Sequence, residues 1–311
     1  MQIGVLEPIE FSIEAVKLLS KIGEVHFYKD EKLEDFLKNK NVLFIRLSYQ
    51  INYSFLCLAP NLKFLCTPTT GLNHIDEKLC KSRGINLISL KNEIKFLKSI
   101  RATPEHTFGL VLSLLRNYKS SFLSSLKRDW NRDLYKGHEI FENKVGIVGY
   151  GRVGTLLSKY FKAFGAKVFY YDIDDTIVGK FEAIKSESVE DLINNSNIII
   201  ISISYTELNR DFINKNLIDL LKGKYLINTS RGEIIDEDYL IEKIKKNFFK
   251  GVALDVIKNE NSTKNNLSEL LKLTNTNNLI ITPHVSGATY SSMKRTEEFI
   301  TMQLLKKFSW T

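Results

Sequence analysis

A chain of 311 residues has room for two domains, each with its own core. Hydrophobic residues make up 43% and charged residues 26%, the balance of a soluble globular protein, and no apolar run approaches the ~18–20 residues of a membrane span. The formal charge of +8 would suit an anionic partner, but the lysines fall in short groups such as "KIKKNFFK" without an aromatic–basic stacking motif. A solvated basic surface is therefore expected, and no nucleic-acid interface.

The N-terminus, "MQIGVLEPIEFSIEAV", has no basic segment ahead of a long apolar stretch, which argues against export. Strands are predicted over 2–7, 42–47, 63–68 and 85–89, with helices over 13–23 and 75–85. The alternation implies a parallel sheet with helices on both faces. Cys57, Cys66 and Cys80 lie in this region, odd in number and without CxxC spacing or histidine neighbours. They read as reduced packing residues of a cytoplasmic protein, with no metal site.

A long helix is predicted next, with Thr103 as N-cap and Pro104 as its first helical residue, running to about Arg128. Phe108, Leu112, Leu115, Tyr118, Phe122 and Leu126 share one face of it, which serves either the core or a dimer contact. From Val145 a second α/β series begins. Strands are predicted over 145–149, 167–172, 198–204, 225–230, 251–256 and 279–284, and helices over about 152–164, 188–195, 210–222 and 236–247. A final helix over about 288–307 returns toward the first domain after Pro283 and Gly287.

The stretch "VGIVGYGRVG" places Gly149, Gly151 and Gly154 at GxGxxG spacing, after a strand and at the start of a helix. In a dinucleotide site, Gly149 permits the tight turn and Gly151 lets backbone N–H groups approach a pyrophosphate. Gly154 lets the helix pack on the strand, and the helix N-terminus stabilises the anion. The following strand ends in Asp172, suited to accept hydrogen bonds from the adenosine ribose. With Asp174 and Asp175 nearby it would repel a 2′-phosphate, which favours NAD over NADP.

Hydride transfer to a 2-keto acid needs a cation for the carboxylate and carbonyl, a proton donor that works near neutral pH, and a group that orients and charges that donor. "INTSRGEIID" places Arg231 after a strand, "GVALDVIKNE" places Asp255 at a strand end and Glu260 in the next loop, and "TPHVSGAT" places His284 after another strand. An arginine grips a carboxylate with its fork, and a carboxylate beside a histidine favours its protonated form. Spacing alone does not bring the three together.

In their order, and over nearly the whole chain, these stretches resemble the D-isomer-specific 2-hydroxyacid dehydrogenase family, which includes phosphoglycerate dehydrogenase, glyoxylate reductase and formate dehydrogenase. "TTGLNHID" (69–76) and "TPEHT" (103–107) carry the resemblance toward the N-terminus. The resemblance implies a Rossmann NAD-binding domain over 98–285, inserted in a smaller flavodoxin-like α/β substrate domain made of 1–97 and 286–311, with a cleft between them. It implies that Arg231 binds the substrate carboxylate and carbonyl, that His284 moves the proton, and that Glu260 pairs with His284. Asp255 would hold the nicotinamide carboxamide, and Thr103 would lie near the ring. Arg152, Val153, Ser202, Thr229, Ser230 and Gly287 join the cofactor set. Thr70, Gly71 and Leu72 would offer backbone groups to the substrate carboxylate. A homodimer through the cofactor domain is also implied, which turns the 104–128 helix toward an interface.

The chain departs from the family pattern in places. Ser202 and Ser204 stand where members often carry His and Pro. No proline follows Glu260, and the run "NSTKNNLSE" lengthens that loop. No regulatory domain is expected after the last helix. His74 and His106 read as packing or solvent-facing residues. Arg46 matches a position where phosphoglycerate-type members carry an arginine, so it binds either a phosphate or second carboxylate, or is a strand-end surface arginine. The expected function is NAD-dependent interconversion of a D-2-hydroxy acid and its 2-keto acid, 3-phosphoglycerate being one candidate. The alternatives are an NAD-sensing corepressor-like protein on the same fold, or a glyoxylate, formate or phosphite dehydrogenase.

Overall fold

The computed structural model describes residues 1–308. It separates into two compact units, one of Met1–Ile100 with the chain from Gly287 onward, the other of Arg101–Ser286. The chain crosses after Ile100 and Ser286, a few residues later than the expected boundaries at 97 and 285.

The first unit holds β1 (Gln2–Val5), β2 (Glu24–Phe27), β3 (Val42–Phe44), β4 (Phe64–Thr67) and β5 (Asn86–Ser89). All pair in parallel in the order β2-β1-β3-β4-β5, the flavodoxin-like winding. β2 has no counterpart in the sequence reading. "EVHF" lies at the sheet edge with no fully buried side chain, so its apolar signal is weak. Ile3, Val5, Leu43, Phe44, Leu65 and Cys66 fill the sheet faces. The helix Tyr290–Lys306 buries Ile300 and Leu304 in the same core, and Phe299 stacks on Phe96 at 4.0 Å. Thr289 starts that helix with a capping box to Ser292.

Arg46 and Glu297 tie this helix to the strand region. The Glu297 side chain is 0% exposed, and its Oε1 accepts from Arg46 Nη2 at 2.6 Å and Nε at 3.2 Å. Its Oε2 accepts from the Ser12 N–H at 2.8 Å, and Arg46 Nη2 also reaches the Ile9 carbonyl. Of the two readings open for Arg46, the fold displays a structural role: its guanidinium compensates a carboxylate that burial would otherwise leave uncompensated.

The second unit holds seven parallel strands: β6 (Lys144–Val148), β7 (Lys167–Tyr171), β8 (Ile184–Lys185), β9 (Ile198–Ile201), β10 (Tyr225–Asn228), β11 (Gly251–Leu254) and β12 (Leu279–Ile281). Their order, β12-β11-β10-β9-β6-β7-β8, reverses direction between β9 and β6. This is the Rossmann winding, and it opens a crevice at the carboxyl ends of β6 and β9. "IIII", "YLIN" and "GVAL" are buried on both faces, as central parallel strands require.

The long helix predicted from Thr103 is two helices, Ala102–Leu115 and Tyr118–Leu126, broken where Asn117 turns left-handed at φ 52°. Thr103 lies inside the first helix and is not its cap. The break divides the apolar stripe. Leu115 is buried and Phe108 and Leu112 pack on the core, whereas Phe122 and Leu126 stand 63% and 81% exposed. The helix predicted over 210–222 is only Lys215–Asp219, and a helix Leu267–Leu273 starts at the end of the lengthened run and continues past it. No helix among the described residues is long and apolar enough to cross a membrane.

Replacing Arg46 with Ala leaves Glu297 buried and unpaired, so a loss of about 3 kcal/mol is expected in urea unfolding at pH 8. Burial pushes the Glu297 carboxyl above its ordinary 4.5, while Arg46 and the Ser12 N–H pull it down. Without Arg46 it rises further. A raised folded value means that stability falls as pH climbs from 4.5 through that value. The variant should therefore recover stability at pH 5, and an equal loss at pH 5 and pH 8 would count against the counter-ion role.

Candidate active site

The glycine turn follows β6. Gly149 has φ 95°, and a Cβ there would lie 2.6 Å from the Ser202 carbonyl oxygen, so conformation and crowding both demand glycine. A Cβ on Gly154 would lie 2.2 Å from the Gly149 carbonyl, which is the close helix-on-turn packing that the motif needs. At Gly151 a Cβ would meet nothing within 4 Å and would fill the space above the turn. Gly151 caps the helix Arg152–Ala163 without a side-chain hydrogen bond, leaving the helix start open toward an anion.

Asp172, just past β7, shapes this cradle. Its Oδ2 accepts from the Tyr150 N–H at 2.6 Å and its Oδ1 from the Asp174 N–H at 3.1 Å. Tyr150 turns inward, 4.0 Å from the Tyr170 ring, and donates to the Lys180 carbonyl. Burial lowers the pKa of Arg152, while Val153 packs on the core. Ser202 Oγ is buried beside the turn with no hydrogen-bond partner. An open cradle, an uncapped helix and an orphaned buried hydroxyl fit a bound dinucleotide.

Arg231, Glu260 and His284 lie in the segments that follow β10, β11 and β12. His284 Nδ1 lies 2.7 Å from Glu260 Oε2, and both side chains are partly buried. Arg231 is partly buried and its Nη1 donates to the Ser230 carbonyl at 2.7 Å; burial pulls its pKa down, while the charges of Glu260, Glu233 and Asp255 push it up. Its turn is held by Asn228, whose Nδ2 donates to the Arg231 carbonyl and whose Oδ1 accepts from the Ser230 N–H and Oγ. Gly232 abuts the Glu260 loop: a Cβ there would lie 2.0 Å from the Ile257 carbonyl carbon. The arginine and glutamate loops are thus locked backbone to backbone.

Asp255 braces the His284 turn. Its Oδ1 accepts from Thr282 Oγ1 at 2.6 Å and the Val285 N–H at 2.9 Å, and its Oδ2 from the Ser286 N–H at 2.9 Å. Burial would raise its pKa, but these hydrogen bonds, with His106, hold it below the usual carboxylate value. The side chain is 0% exposed. The donors present brace the His284 turn, and among the described residues Oδ2 accepts from the Ser286 N–H alone. His284 itself is left-handed at φ 52°, with its N–H shared between the Asp255 and Thr282 carbonyls.

Other expected residues fall differently. Thr229 shares a hydrogen bond with the Thr107 hydroxyl at 2.7 Å, and the Ser230 hydroxyl donates to Asn228 Oδ1. Thr103 uses its carbonyl to accept from Thr107 Oγ1. Gly287 belongs to the first unit, where its carbonyl accepts from Ser292 Oγ. Also in the first unit, Thr70, Gly71 and Leu72 follow β4, and no acceptor among the described residues meets their backbone N–H groups. Asn228 and Thr282 were missed, although each lies inside a quoted motif, and a polar residue ending a buried strand was the available signal. His106, read as packing or solvent-facing, reaches Thr282 Oγ1 at 3.2 Å.

The model of the D-isomer specific 2-hydroxyacid dehydrogenase NAD-binding domain matches residues 108–286. The chain is 29% identical to a glyoxylate reductase of Thermofilum pendens, over 90% of this chain and 84% of that one. It is 28% identical to a D-3-phosphoglycerate dehydrogenase of Methanocaldococcus jannaschii, over 94% of this chain but only 55% of that one. Among solved structures, a D-lactate dehydrogenase from Aquifex aeolicus complexed with NAD and lactic acid matches with TM-score 0.84 and 27% identity, over 99% and 95% of the two chains. The chain therefore belongs to the D-isomer-specific 2-hydroxyacid dehydrogenase family, as an NAD-dependent oxidoreductase.

Proposed function

We propose that this dehydrogenase acts on a short, unphosphorylated D-2-hydroxy acid and its 2-keto acid, with Arg231, His284 and Glu260 as its chemical residues. The observation that carries the reading is the 2.7 Å contact between His284 Nδ1 and Glu260, whose charge also acts on the partly buried Arg231. With Nδ1 on the carboxylate, Nε2 is the ring nitrogen left to deliver a proton to a carbonyl oxygen, or to take one from a hydroxyl. Glu260 stabilises the imidazolium, and Arg231 grips the substrate carboxylate and polarises the C=O. A dinucleotide, when bound, would supply or accept the hydride. Gly149, Gly151, Gly154, Asp172 and Ser202 hold it, and Thr70, Gly71 and Leu72 offer amide donors to a carboxylate. The engagement of Arg46 with Glu297 disfavours a phosphorylated substrate.

The same proposal includes a cytoplasmic homodimer. Cys57, Cys66 and Cys80 are free thiols. Tyr118, Phe122, Leu123 and Leu126 leave an apolar helix face to solvent, followed by exposed Trp130. A second copy is its occupant: the Phe122→Asp/Leu126→Asp variant should sediment as a monomer where the parent sediments as a dimer.

A screen of 2-keto acids with NADH, followed at the nicotinamide absorbance, tests the activity, with 3-phosphohydroxypyruvate, formate and phosphite (the last two with NAD) in the same panel. Tight NADH binding without turnover would favour the sensor reading. His284→Ala should cut turnover by about 10²–10⁴, and Glu260→Gln, which keeps the shape and removes the charge, should also lower it. Full activity in either variant removes that residue from the chemistry. Gly151→Ala separates binding from folding. The added methyl has room, so the urea midpoint should barely move, while NADH affinity should fall by roughly tenfold or more as the cradle fills. Unchanged affinity would place the pyrophosphate elsewhere.

A further inference from the structure

We propose that His106 is a positioning residue for the reaction: acting through Thr282 and Asp255, it holds the His284 turn in the conformation that keeps the imidazole on Glu260. The inference rests on the proton-donor reading of His284.

The geometry forms a relay from a helix to a strained turn. His106, on the helix Ala102–Leu115, places Nε2 3.2 Å from Thr282 Oγ1 and 3.5 Å from Asp255 Oδ1. The Thr282 hydroxyl gives its own hydrogen to Asp255 at 2.6 Å, so it accepts from the ring, and Nε2 carries the proton. Asp255 then fixes the N–H groups of Val285 and Ser286, while the Asp255 and Thr282 carbonyls share the N–H of His284.

His284 needs this restraint. A non-glycine residue at φ 52° persists only where its surroundings over-determine it. Three consecutive N–H groups, of His284, Val285 and Ser286, are all held by Asp255 through its carbonyl or carboxylate. A carboxylate buried this fully must be matched by donors or it rotates or protonates. His106 is the side chain on a separate helix that completes the donor set. Losing it frees Asp255 Oδ1 and Thr282 to reorient, and the turn relaxes toward an ordinary backbone conformation with the imidazole displaced. Displacements of about 1 Å at a reacting group cost up to roughly a hundredfold in rate.

The test compares His106→Phe, which keeps a ring and removes the donor, with His106→Gln, which restores an N–H at the matching reach. Amide hydrogen exchange at His284–Ser286 in the protein without ligand is read first. kcat and KM per NADH-binding site follow. His106→Phe should exchange faster at these amides and lose roughly ten- to a hundredfold in kcat, with KM for NADH unchanged. His106→Gln should recover both. Unchanged exchange and kcat in His106→Phe overturn the proposal, as does a His106→Gln variant impaired as badly as the Phe one, which would mean shape alone matters. Thr282→Val carries the same comparison if His106→Phe does not fold. Should the parent protein turn over nothing in the screen, the function reading fails, while the exchange result still decides whether His106 holds the turn.

Discussion

Asp255 keeps an ionised carboxylate out of water, and the arrangement of the site depends on how that charge is matched. Burial of such a group costs several kcal/mol when it stands alone. Here two backbone N–H groups, a threonine hydroxyl and a histidine surround it, each charge-assisted bond contributing about 1.5–3 kcal/mol. The lowered pKa says which effect prevails: hydrogen bonding outweighs desolvation. A lowered folded value means that this contribution is present above the ordinary carboxylate pKa and is lost only as pH falls through the folded one, so Asp255 is ionised at neutral pH. Part of that gain offsets the left-handed conformation of His284, worth roughly 1–2 kcal/mol.

The parallel sheet makes such a concentration possible. Apolar strands buried on both faces fix the register of β9, β10 and β11, so their carboxyl ends lie side by side. Each end then turns sharply with a polar residue at the bend: Ser202 after β9, Asn228 ending β10, Asp255 after β11 and Thr282 after β12. Close backbone approaches at Gly149 and Gly232 weld neighbouring turns together. The site is thus a row of strand ends, rigid because the core beneath is apolar and fully packed.

Much of this was legible in the residues. Strand and helix alternation and the glycine spacing pointed to the two parallel sheets, and the three motifs put Arg231, Glu260 and His284 in the turns that follow β10, β11 and β12. What escaped has local causes. β2 is an edge strand whose exposed side chains carry no alternation. The break at Asn117 was hidden because the apolar spacing continues through it, and asparagine is among the few residues that adopt the left-handed region readily. Arg46 could not be resolved from sequence because its partner, Glu297, lies 251 residues away. His106 was passed over because a helical histidine reveals nothing until the opposite turn is in place.

The loop that carries Glu260 shows how the chain manages without the proline its relatives' pattern led one to expect. A run rich in Asn, Ser and Lys gives little stiffness of its own. Glu237, on the neighbouring helix Glu237–Lys245, anchors it on both sides of the glutamate, accepting from the Lys258 N–H at 2.8 Å and from Asn266 Nδ2 at 3.0 Å. Lys258 pairs with Asp211, and Asn265 reaches back to the Glu260 carbonyl. Burial pushes the Glu237 carboxyl up, while the Lys258 N–H and Asn266 pull it down. A proline stiffens a loop by narrowing the unfolded ensemble; a buried carboxylate does so only in the folded state, and at a desolvation cost. The rigidity that holds Glu260 to His284 is therefore borrowed from the helix beneath it, through a carboxylate that touches neither member of the pair.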